Sequence, residues 1–515
     1  MDRLSLRDVV RCELVIPEGM HRRLMRHLFP GDDDEHGAVI AAGIAQSPHG
    51  TLRLLAADLH LAVDGKDFVA GQRGYKMFRA AFVRDQVLTC QERRLVYLNI
   101  HNHGGTTHVE FSKDDLCSHE RGYPALLEIA GDLPMGALVF ANQAVAGDIW
   151  LQDGRRLPLE RTVVVGRRRR VFYPSPRPKP AKATSRYDRQ TRLFGDAGQD
   201  ILRQTKVVII GTGGVGALLV EWLARLGVGY FVLIDPDRIE ETNLPRFPGA
   251  TRLDAMTWLR HPSRPQWMRR LGERLSTHKV RIARRIIRRA NPNARVELFA
   301  QDFLEPEATR AALDADYLFL AADSMRARLL FNAIVHQYLI PGVQIGSRVS
   351  ADTTTGEITS IHAISRLVTT ECGCLLCNQV INRAKLQEEG QNQAELRAQR
   401  YVDDPEVAAP SVITLNARAA SQAADDFLHY ITGLTSEDAQ LGYIRFMPLS
   451  REVSLDEPRR SSDCSECGEG HSRLGRGDIG PRLPTYYRPA PPSGRQMRHF
   501  GELLPLTLAK RFFKP

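Results

Sequence analysis

At 515 residues the chain is too long for one ordinary core, so we expect two or three domains. An apolar fraction of 43% and a charged fraction of 25% exclude a wholly disordered chain. The formal net charge of +10 favours anionic partners, such as a nucleotide or an acidic protein. The sequence has neither an N-terminal signal-peptide pattern nor an uninterrupted apolar run of about 18 residues, so we expect no membrane span.

Strand-like runs and turns alternate through the first 165 residues, with strands predicted at 38–43 and 95–100. An arginine run at 167–170 follows, and it is more typical of a solvated linker than of a binding site. Prolines at alternate positions from Pro174 to Pro180 then exclude helix and central strand. We therefore predict an N-terminal domain over residues 1–165 and an extended Pro/Arg-rich linker over 166–184.

A strand–loop–helix–strand pattern begins after this linker. The predicted elements, in order, are strand 206–210, helix 218–226, strand 230–234, helix 279–290, strand 296–299, helix 305–313 and strand 317–321. This alternation predicts an α/β fold with a doubly wound, mostly parallel, Rossmann-like sheet within residues 185–470. Residues 471–515 are rich in Gly, Pro and Arg, and we predict an irregular C-terminal tail there.

A glycine-rich loop joins the first of these strands to its helix. The loop glycines are Gly211, Gly213, Gly214 and Gly216. Such glycines let the backbone approach a phosphate, and the N-terminus of the following helix offers free N–H groups. Asp235 ends the next strand, where a carboxylate can bind ribose hydroxyls. These features alone fit NAD or FAD as well as ATP.

Further motifs occur in order around this loop. They are Arg186-Tyr187-Asp188-Arg189-Gln190, Asp235-Pro236-Asp237, Asn243-Leu244-Pro245-Arg246, Lys279, Asn291-Pro292 and Ala322-Asp323. Together they resemble the ThiF/MoeB/HesA family and the ubiquitin-activating enzymes over about residues 185–470. The resemblance implies an enzyme that uses ATP and Mg²⁺ to adenylate the C-terminus of a ubiquitin-like or sulfur-carrier protein.

The resemblance also implies a role for each matched residue. It assigns Asp235 to the ribose, Asn243, Arg246 and Lys279 to the phosphates, Asp323 to Mg²⁺, and Arg189 as an arginine finger in the site of a partner subunit. A homodimer is therefore expected. Adenylation brings two anions together, so cations are needed to neutralise their repulsion and the charge that develops on the α-phosphate.

The segment 250–278, called the insert below, is longer than in simple members of this family. It contains Trp258, Arg260, Trp267 and Arg269. This composition suits a protein interface and equally a plain surface loop. Outside the insert the basic clusters lack interleaved aromatic residues, so a nucleic-acid partner is not expected.

Two CxxC pairs supply four thiols: Cys374, Cys377, Cys464 and Cys467. Thiolates in this pattern bind tetrahedral Zn²⁺, and the resemblance implies a structural zinc with a long segment between the pairs. They also favour the reducing cytoplasm over a disulfide-forming compartment. Cys372 is the only spare thiol nearby, and we expect it to form no stable thioester with the carrier.

A second set of metal-ligand types lies near residue 100. His101 and His103 share one face of a strand and can hold one metal ion, with Asp115 as third ligand. Three protein ligands leave a position for water, as in catalytic zinc sites, and Glu35 is the candidate base for its proton. Ser112 precedes Asp115 by three residues.

This set resembles the JAB/MPN (JAMM) metalloprotease family, in which the serine, here Ser112, helps to stabilise the tetrahedral oxyanion. Asp114 and His108 compete with Asp115 as the third ligand because the spacing is one residue longer than usual, and Gly104 stands where proline is common. We expect an isopeptidase or processing domain fused to an activating enzyme, as in bacterial ubiquitin-like conjugation systems. A conjugating enzyme is then a further partner. The alternatives are carrier activation for thiocarboxylate synthesis and a catalytically inactive JAB module kept for binding.

Overall fold

The computed structural model describes residues 6, 8–32, 34–69, 77–351, 357–390, 411–434, 442–468 and 473–486. These residues form two domains, each built on one eight-stranded sheet. Within the described ranges, no helix has both the length and the apolar character that a membrane crossing requires. Residues 487–515, most of the predicted tail, lie outside the described part.

The first sheet closes on itself, because its first strand pairs with both the third and the seventh. Its strands are β1 (Arg11–Pro17), β2 (Gly37–Gln46), β3 (Thr51–Leu61), β4 (Val96–Asn102), β5 (Met135–Phe140), β6 (Val145–Trp150), β7 (Arg156–Val165) and β8 (Arg170–Phe172), in the order β1-β3-β2-β4-β5-β6-β7-β8. The helices of this domain are α1 (Glu18–Leu28), α2 (Ala80–Glu92) and α3 (Lys113–Ala130). Side chains of α2 and α3 pack with sheet residues such as Tyr97 and Trp150.

The second sheet combines a parallel and an antiparallel part. Its strands are β9 (Lys206–Ile210), β10 (Tyr230–Ile234), β11 (Arg295–Phe299), β12 (Tyr317–Leu320), β13 (Gly342–Ala351), β14 (Ile358–Val368), β15 (Tyr443–Met447) and β16 (Glu452–Asp456), in the order β11-β10-β9-β12-β13-β14-β15-β16. Strands β9 to β13 pair in parallel. The strand order reverses between β9 and β12, where open α/β sheets bind ligands at the carboxyl ends.

Helices cover this second sheet. They are α4 (Asp188–Gln204), α5 (Gly214–Leu226), α6 (Thr257–Arg260), α7 (Gln266–Leu275), α8 (Lys279–Ala290), α9 (Pro306–Ala312), α10 (Met325–Gln337), α11 (Arg383–Gly390) and α12 (Ile413–Thr432), with short 3-10 helices at Ser185–Tyr187 and Glu241–Arg246. The predicted Rossmann-like arrangement is confirmed. Strands 206–210 and 230–234 and helix 279–290 have the predicted bounds, whereas α5 begins four residues earlier than predicted.

The segment predicted as a linker, 166–184, begins as part of the first sheet, and this part of the prediction is corrected. Strand β8 pairs with β7, and Tyr173 forms a bridge with Ala144. Phe172 stacks on His21, which explains why the chain stays on the sheet after the arginine run. Arg169 from that run lines a cavity of about 620 Å³ between the domains. The chain leaves the sheet only at the alternating prolines.

The described part of the predicted tail, residues 473–486 and called the tail segment below, is irregular but packs between the two domains. The Asp478 amide donates to the Ile44 carbonyl in β2 at 2.6 Å, and its carboxylate accepts from the Gln46 amide at 2.9 Å. On the other side, the Tyr338 hydroxyl donates to Asp478 at 3.0 Å, and the Gly477 amide donates to the Gln337 carbonyl at 2.9 Å. One short segment therefore connects the two sheets.

Candidate nucleotide and metal sites

The glycine loop makes backbone contacts that a side chain would block. Gly211 has φ +90°, and a Cβ there would lie 2.9 Å from the carbonyl carbon of Ala321 and the amide nitrogen of Ala322, next to β12. A Cβ at Gly216 would lie 2.0 Å from the Gly211 carbonyl oxygen. These two glycines are thus fixed by the close packing of loop, helix and strand, whereas a Cβ at Gly213 would meet nothing within 4 Å. Open space above Gly213 is what the approach of a phosphate requires.

Asp235 is buried at the end of β10 and binds the loop itself. Its carboxylate accepts hydrogen bonds from the Thr212 amide at 2.7 Å and from the Asp237 amide at 2.9 Å. Burial raises the pKa of Asp235, while the nearby Lys279 acts in the opposite direction. The predicted ribose ligand therefore also braces the glycine loop, a role that the sequence did not indicate.

The predicted phosphate contacts lie around the same loop. A Cβ at Gly214 would lie 3.4 Å from Cδ of Arg246 and 2.6 Å from the side-chain nitrogen Nδ2 of Asn416. Both side chains therefore face the start of α5. The Lys279 ammonium pairs with Asp237 at 2.7 Å. Asn243 accepts a hydrogen bond from the Glu240 amide at 3.2 Å, which closes the turn that carries Arg246.

Asp323 is exposed. It directly follows Ala321 and Ala322, whose backbone lies against Gly211 of the glycine loop. Ser324 caps α10 through a hydrogen bond from the Ala327 amide. The Glu389 carboxylate, which the sequence analysis missed, accepts from the Met325 and Arg326 amides at 2.9 Å each. No local sequence pattern could have paired Glu389 with a helix about 60 residues away.

Arg189 does not join this group. It is exposed in the first turn of α4, which packs against α12, and it forms no ion pair with any residue that the structure describes. The glycine loop, Asp235 and Asp323 follow the carboxyl ends of β9, β10 and β12, beside the reversal in strand order.

The four CxxC thiols form one cluster. Cys374 and Cys464 sulfurs are 3.6 Å apart, as are those of Cys377 and Cys467, and all four lie within 4.8 Å of one another. A tetrahedral Zn²⁺ with Zn–S bonds of about 2.3 Å requires S···S separations near 3.8 Å. The donor set and its spacing fit a structural zinc.

The surroundings of the thiol cluster are hydrogen-bonded and buried. Asn332 accepts from the Leu375 amide at 2.8 Å and donates to Glu466 at 3.3 Å, and Glu466 pairs with Arg473 at the start of the tail segment. Cys372 is buried just outside the cluster, and burial raises the pKa of its thiol to about 11. A thiol that is buried and protonated at neutral pH is a poor nucleophile.

The histidine site assembles as the sequence suggested. His101 and His103 present their Nε2 atoms 3.1 Å apart, and the Asp115 carboxylate lies 3.5 Å from the first and 3.4 Å from the second. Glu35 lies 3.7 Å from His103 Nε2. Two imidazoles, one carboxylate and an adjacent second carboxylate fit the donor set of a catalytic zinc site.

Neighbouring groups orient these ligands. His103 Nδ1 lies 3.1 Å from the Glu110 carbonyl, which leaves Nε2 directed at the cluster. Burial opposes ionisation of Asp115, but hydrogen bonds from His101, His103 and Ser112 outweigh it and lower the pKa of this carboxyl. The hydrogen bond to Asp115 raises the pKa of His103.

The structure distinguishes between the rival third ligands. Asp115 lies with the histidines, whereas Asp114 and His108 are exposed and belong to no described cluster of metal-ligand types. The reason is a capping box: Ser112 accepts from the Asp115 amide at 3.1 Å, and the Asp115 carboxylate accepts from the Ser112 amide at 2.8 Å. The Ser112 hydroxyl also donates to Asp115 at 2.7 Å.

Comparison with known proteins concerns the second domain. The model of the ThiF family matches residues 187–467. The chain is 27% identical over 163 residues to the tRNA threonylcarbamoyladenosine dehydratase of Escherichia coli, covering 31% of this chain and 53% of that protein. It is 30% identical over 170 residues to the sulfur carrier protein ThiS adenylyltransferase of Bacillus subtilis, covering 32% and 45%.

A third relative is the SAMP-activating enzyme E1 of Haloferax volcanii, 26% identical over 163 residues, with 31% of this chain and 53% of that protein covered. The match thus spans about half the length of these relatives. Among solved structures, the E. coli MccB complex with MccA-N7isoASN superposes with a TM-score of 0.41 at 21% identity, over 56% of this chain and 76% of that one.

Proposed function

Because this chain belongs to the ThiF family, we propose that it uses ATP to adenylate the C-terminal carboxylate of a ubiquitin-like or sulfur-carrier protein. Two relatives support this substrate class: the B. subtilis protein is named for a sulfur carrier, and the H. volcanii protein as an activating enzyme. The observation that supports the proposal is that the glycine loop, Asp235 and Asp323 follow the ends of three parallel strands at the strand-order reversal. Arg246 lies beside Gly214, and Lys279 lies close to Asp235.

In this reaction a carboxylate oxygen of the carrier attacks the α-phosphorus of ATP, the α–β bridging P–O bond breaks, and pyrophosphate leaves. Arg246 beside Gly214 and Lys279 beside Asp237 place positive charge where two anions must approach. Asp323, which is exposed and acidic, would hold Mg²⁺. Arg189 would serve the site of a second subunit, which makes a homodimer part of the proposal.

We propose further that the N-terminal domain is a JAB/MPN-like hydrolase of isopeptide or C-terminal peptide bonds. His101, His103 and Asp115 would hold Zn²⁺, which supplies a water of lowered pKa when bound. Glu35, 3.7 Å from His103, would take a proton from that water, and Ser112, hydrogen-bonded to Asp115, would help to stabilise the oxyanion. The second candidate function, carrier activation for thiocarboxylate synthesis, draws on the sulfur-carrier name of the B. subtilis relative and needs no N-terminal activity.

The direct test combines the full chain, ATP and the ubiquitin-like or sulfur-carrier protein encoded beside its gene. Intact-mass spectrometry should show the carrier gaining one AMP. Addition of sulfide distinguishes the two carrier chemistries. Attack of HS⁻ on the acyl adenylate breaks the acyl–phosphate bond, releases AMP and leaves a thiocarboxylate, which should accumulate with a sulfur carrier. A carrier that keeps its mass with the wild-type chain and ATP would contradict the proposal.

A further inference from the structure

The insert presents an apolar stripe to solvent. Trp267, Leu271 and Leu275 follow one another at four-residue intervals along α7, so they lie on one face of that helix. Their exposed fractions are 66%, 42% and 52%. Trp258 on α6 is also more than half exposed. The buried face of α7 contains Gly272, which packs on Leu259 and Arg260.

Positive charge surrounds this stripe. The insert, residues 250–278, has six Arg but only two Asp and Glu, a formal charge of +4. Arg269, Arg270 and Arg274 on α7 are exposed and form no ion pair with any described residue. Three exposed cations thus lie on the same short helix as the apolar stripe.

This surface borders the nucleotide site. The Ile239 amide donates to the Thr277 carbonyl at 2.9 Å, and Arg260 donates to the Ile239 carbonyl at 3.3 Å. At the end of the insert, the Lys279 amide donates to the Asp237 carbonyl at 2.9 Å. The insert is therefore fastened to the loop that runs from Asp235 to Arg246.

We propose that the insert is the docking surface for the body of the carrier protein, and that the carrier presents an apolar groove with an acidic rim to α7. This rests on the proposed adenylation, because a carrier whose C-terminus enters the nucleotide site holds its folded part next to that site. An apolar stripe at i, i+4 and i+8 suits a groove, and tryptophan and arginine contribute most to protein interfaces. The unpaired arginines would steer an acidic carrier to the site and speed its association.

Charge and side-chain type argue against other occupants. A two-fold contact between copies of this chain would bring two strongly cationic surfaces together, which is costly. Leu271 and Leu275 neither stack on bases nor bind phosphates, whereas they fill an apolar groove well. The acidic protein is thus the occupant that uses both halves of the surface.

The test measures carrier-dependent ATP–pyrophosphate exchange by the full chain, with the carrier encoded beside its gene as the probe. Trp267→Ser with Leu271→Ser should raise the KM for the carrier by about tenfold or more, and leave kcat and the KM for ATP unchanged. Arg269→Glu with Arg270→Glu should also raise that KM and flatten its dependence on salt. Matched controls are Leu455→Ser, an exposed leucine on β16, and Arg84→Glu with Arg121→Glu, which change the net charge equally.

Carrier KM values within twofold of the wild type in both insert variants would overturn the proposal while leaving the adenylation itself intact. A loss of self-association in sedimentation, without a change in carrier KM, would identify a second copy as the occupant and would also overturn it. If the same variants lost binding to fluorescently labelled tRNA, again without a change in carrier KM, nucleic acid would be the occupant and the proposal would be overturned. Absence of exchange by the wild type would instead refute the proposed function.

Discussion

Gly43→Ala tests whether the tail segment fastens the two domains together. A Cβ at Gly43 in β2 would lie 2.2 Å from the Gly475 carbonyl oxygen and 2.6 Å from the carbonyl group of Arg476. Ordinary contact begins at 3.4 Å, and the atoms in the way belong to the backbone, so no side-chain rotation relieves the overlap. The tail segment must move away from β2 by roughly 1 Å.

Such a shift breaks the hydrogen bonds from the Asp478 amide to Ile44 and from the Gln46 amide to the Asp478 carboxylate. Their combined loss costs about 2–4.5 kcal/mol, at ~0.5–1.5 for a neutral bond and ~1.5–3 for one to a charged group. The local opening equilibrium should therefore increase roughly 30- to 1,600-fold, because about 1.4 kcal/mol is a factor of ten.

Hydrogen exchange at the Gly477 and Asp478 amides measures this opening directly, and trypsin should cut faster after Arg476. The matched control is Gly122→Ala in α3, where a Cβ meets nothing within 4 Å. That variant should leave exchange in the tail segment unchanged. Exchange at Asp478 within threefold of the wild type in Gly43→Ala would refute the reasoning, because the backbone overlap would then cost nothing.

Further variants address the metal sites and the spare thiol. Glu35→Gln should retain the metal of the histidine site, measured by elemental analysis, yet stop cleavage of a carrier fusion, because it removes a base and no ligand. Cleavage at the wild-type rate would exclude Glu35 as the base. Cys374→Ser should remove one zinc per chain and lower thermal stability, and an unchanged zinc content would contradict the thiol site. Cys372→Ser should leave carrier activation unchanged, because the thiol is buried and its pKa is raised to about 11. A reductant-sensitive carrier adduct that this substitution abolishes would show the opposite.

Elements with a strong local pattern could be predicted from the sequence. The apolar residues follow one clear pattern, with a clear boundary residue, in strands 206–210 and 230–234 and in helix 279–290. The predicted bounds of these three elements agree with the structure. Helix α5 begins earlier than its apolar face because Gly214 and Gly216 already adopt helical geometry beneath the loop. Glycines have no apolar side chain, so the apolar periodicity predicts a start for this helix four residues too late.

Contacts between distant parts of the chain could not be predicted. The tail segment has no periodicity, and its hydrogen bonds to Ile44 and Gln337 depend on the folded surfaces of two domains. Strand β8 was missed because its arginine run resembles a solvated linker, although Phe172 packs on His21. Local sequence reports on local structure, whereas these segments are fixed by tertiary packing.

The histidine site lies between these extremes. Spacing alone left Asp114 and Asp115 as rivals, yet Ser112 followed three residues later by an acid is a recognisable capping-box pattern at a helix start. The box turns Asp115 back toward the helix N-terminus and so toward the histidines. Reading the cap together with the ligand spacing would have selected Asp115.

Carrier-dependent exchange of labelled pyrophosphate into ATP tests the central claim, adenylation of a carrier C-terminus, most directly. The wild-type chain should catalyse exchange only when the carrier with its free C-terminal carboxylate is present. Asp323→Ala should abolish exchange without unfolding the domain, because the residue is exposed and its loss leaves no cavity. Exchange that persists in Asp323→Ala, or that proceeds equally with a carrier lacking its C-terminal residues, would contradict the account.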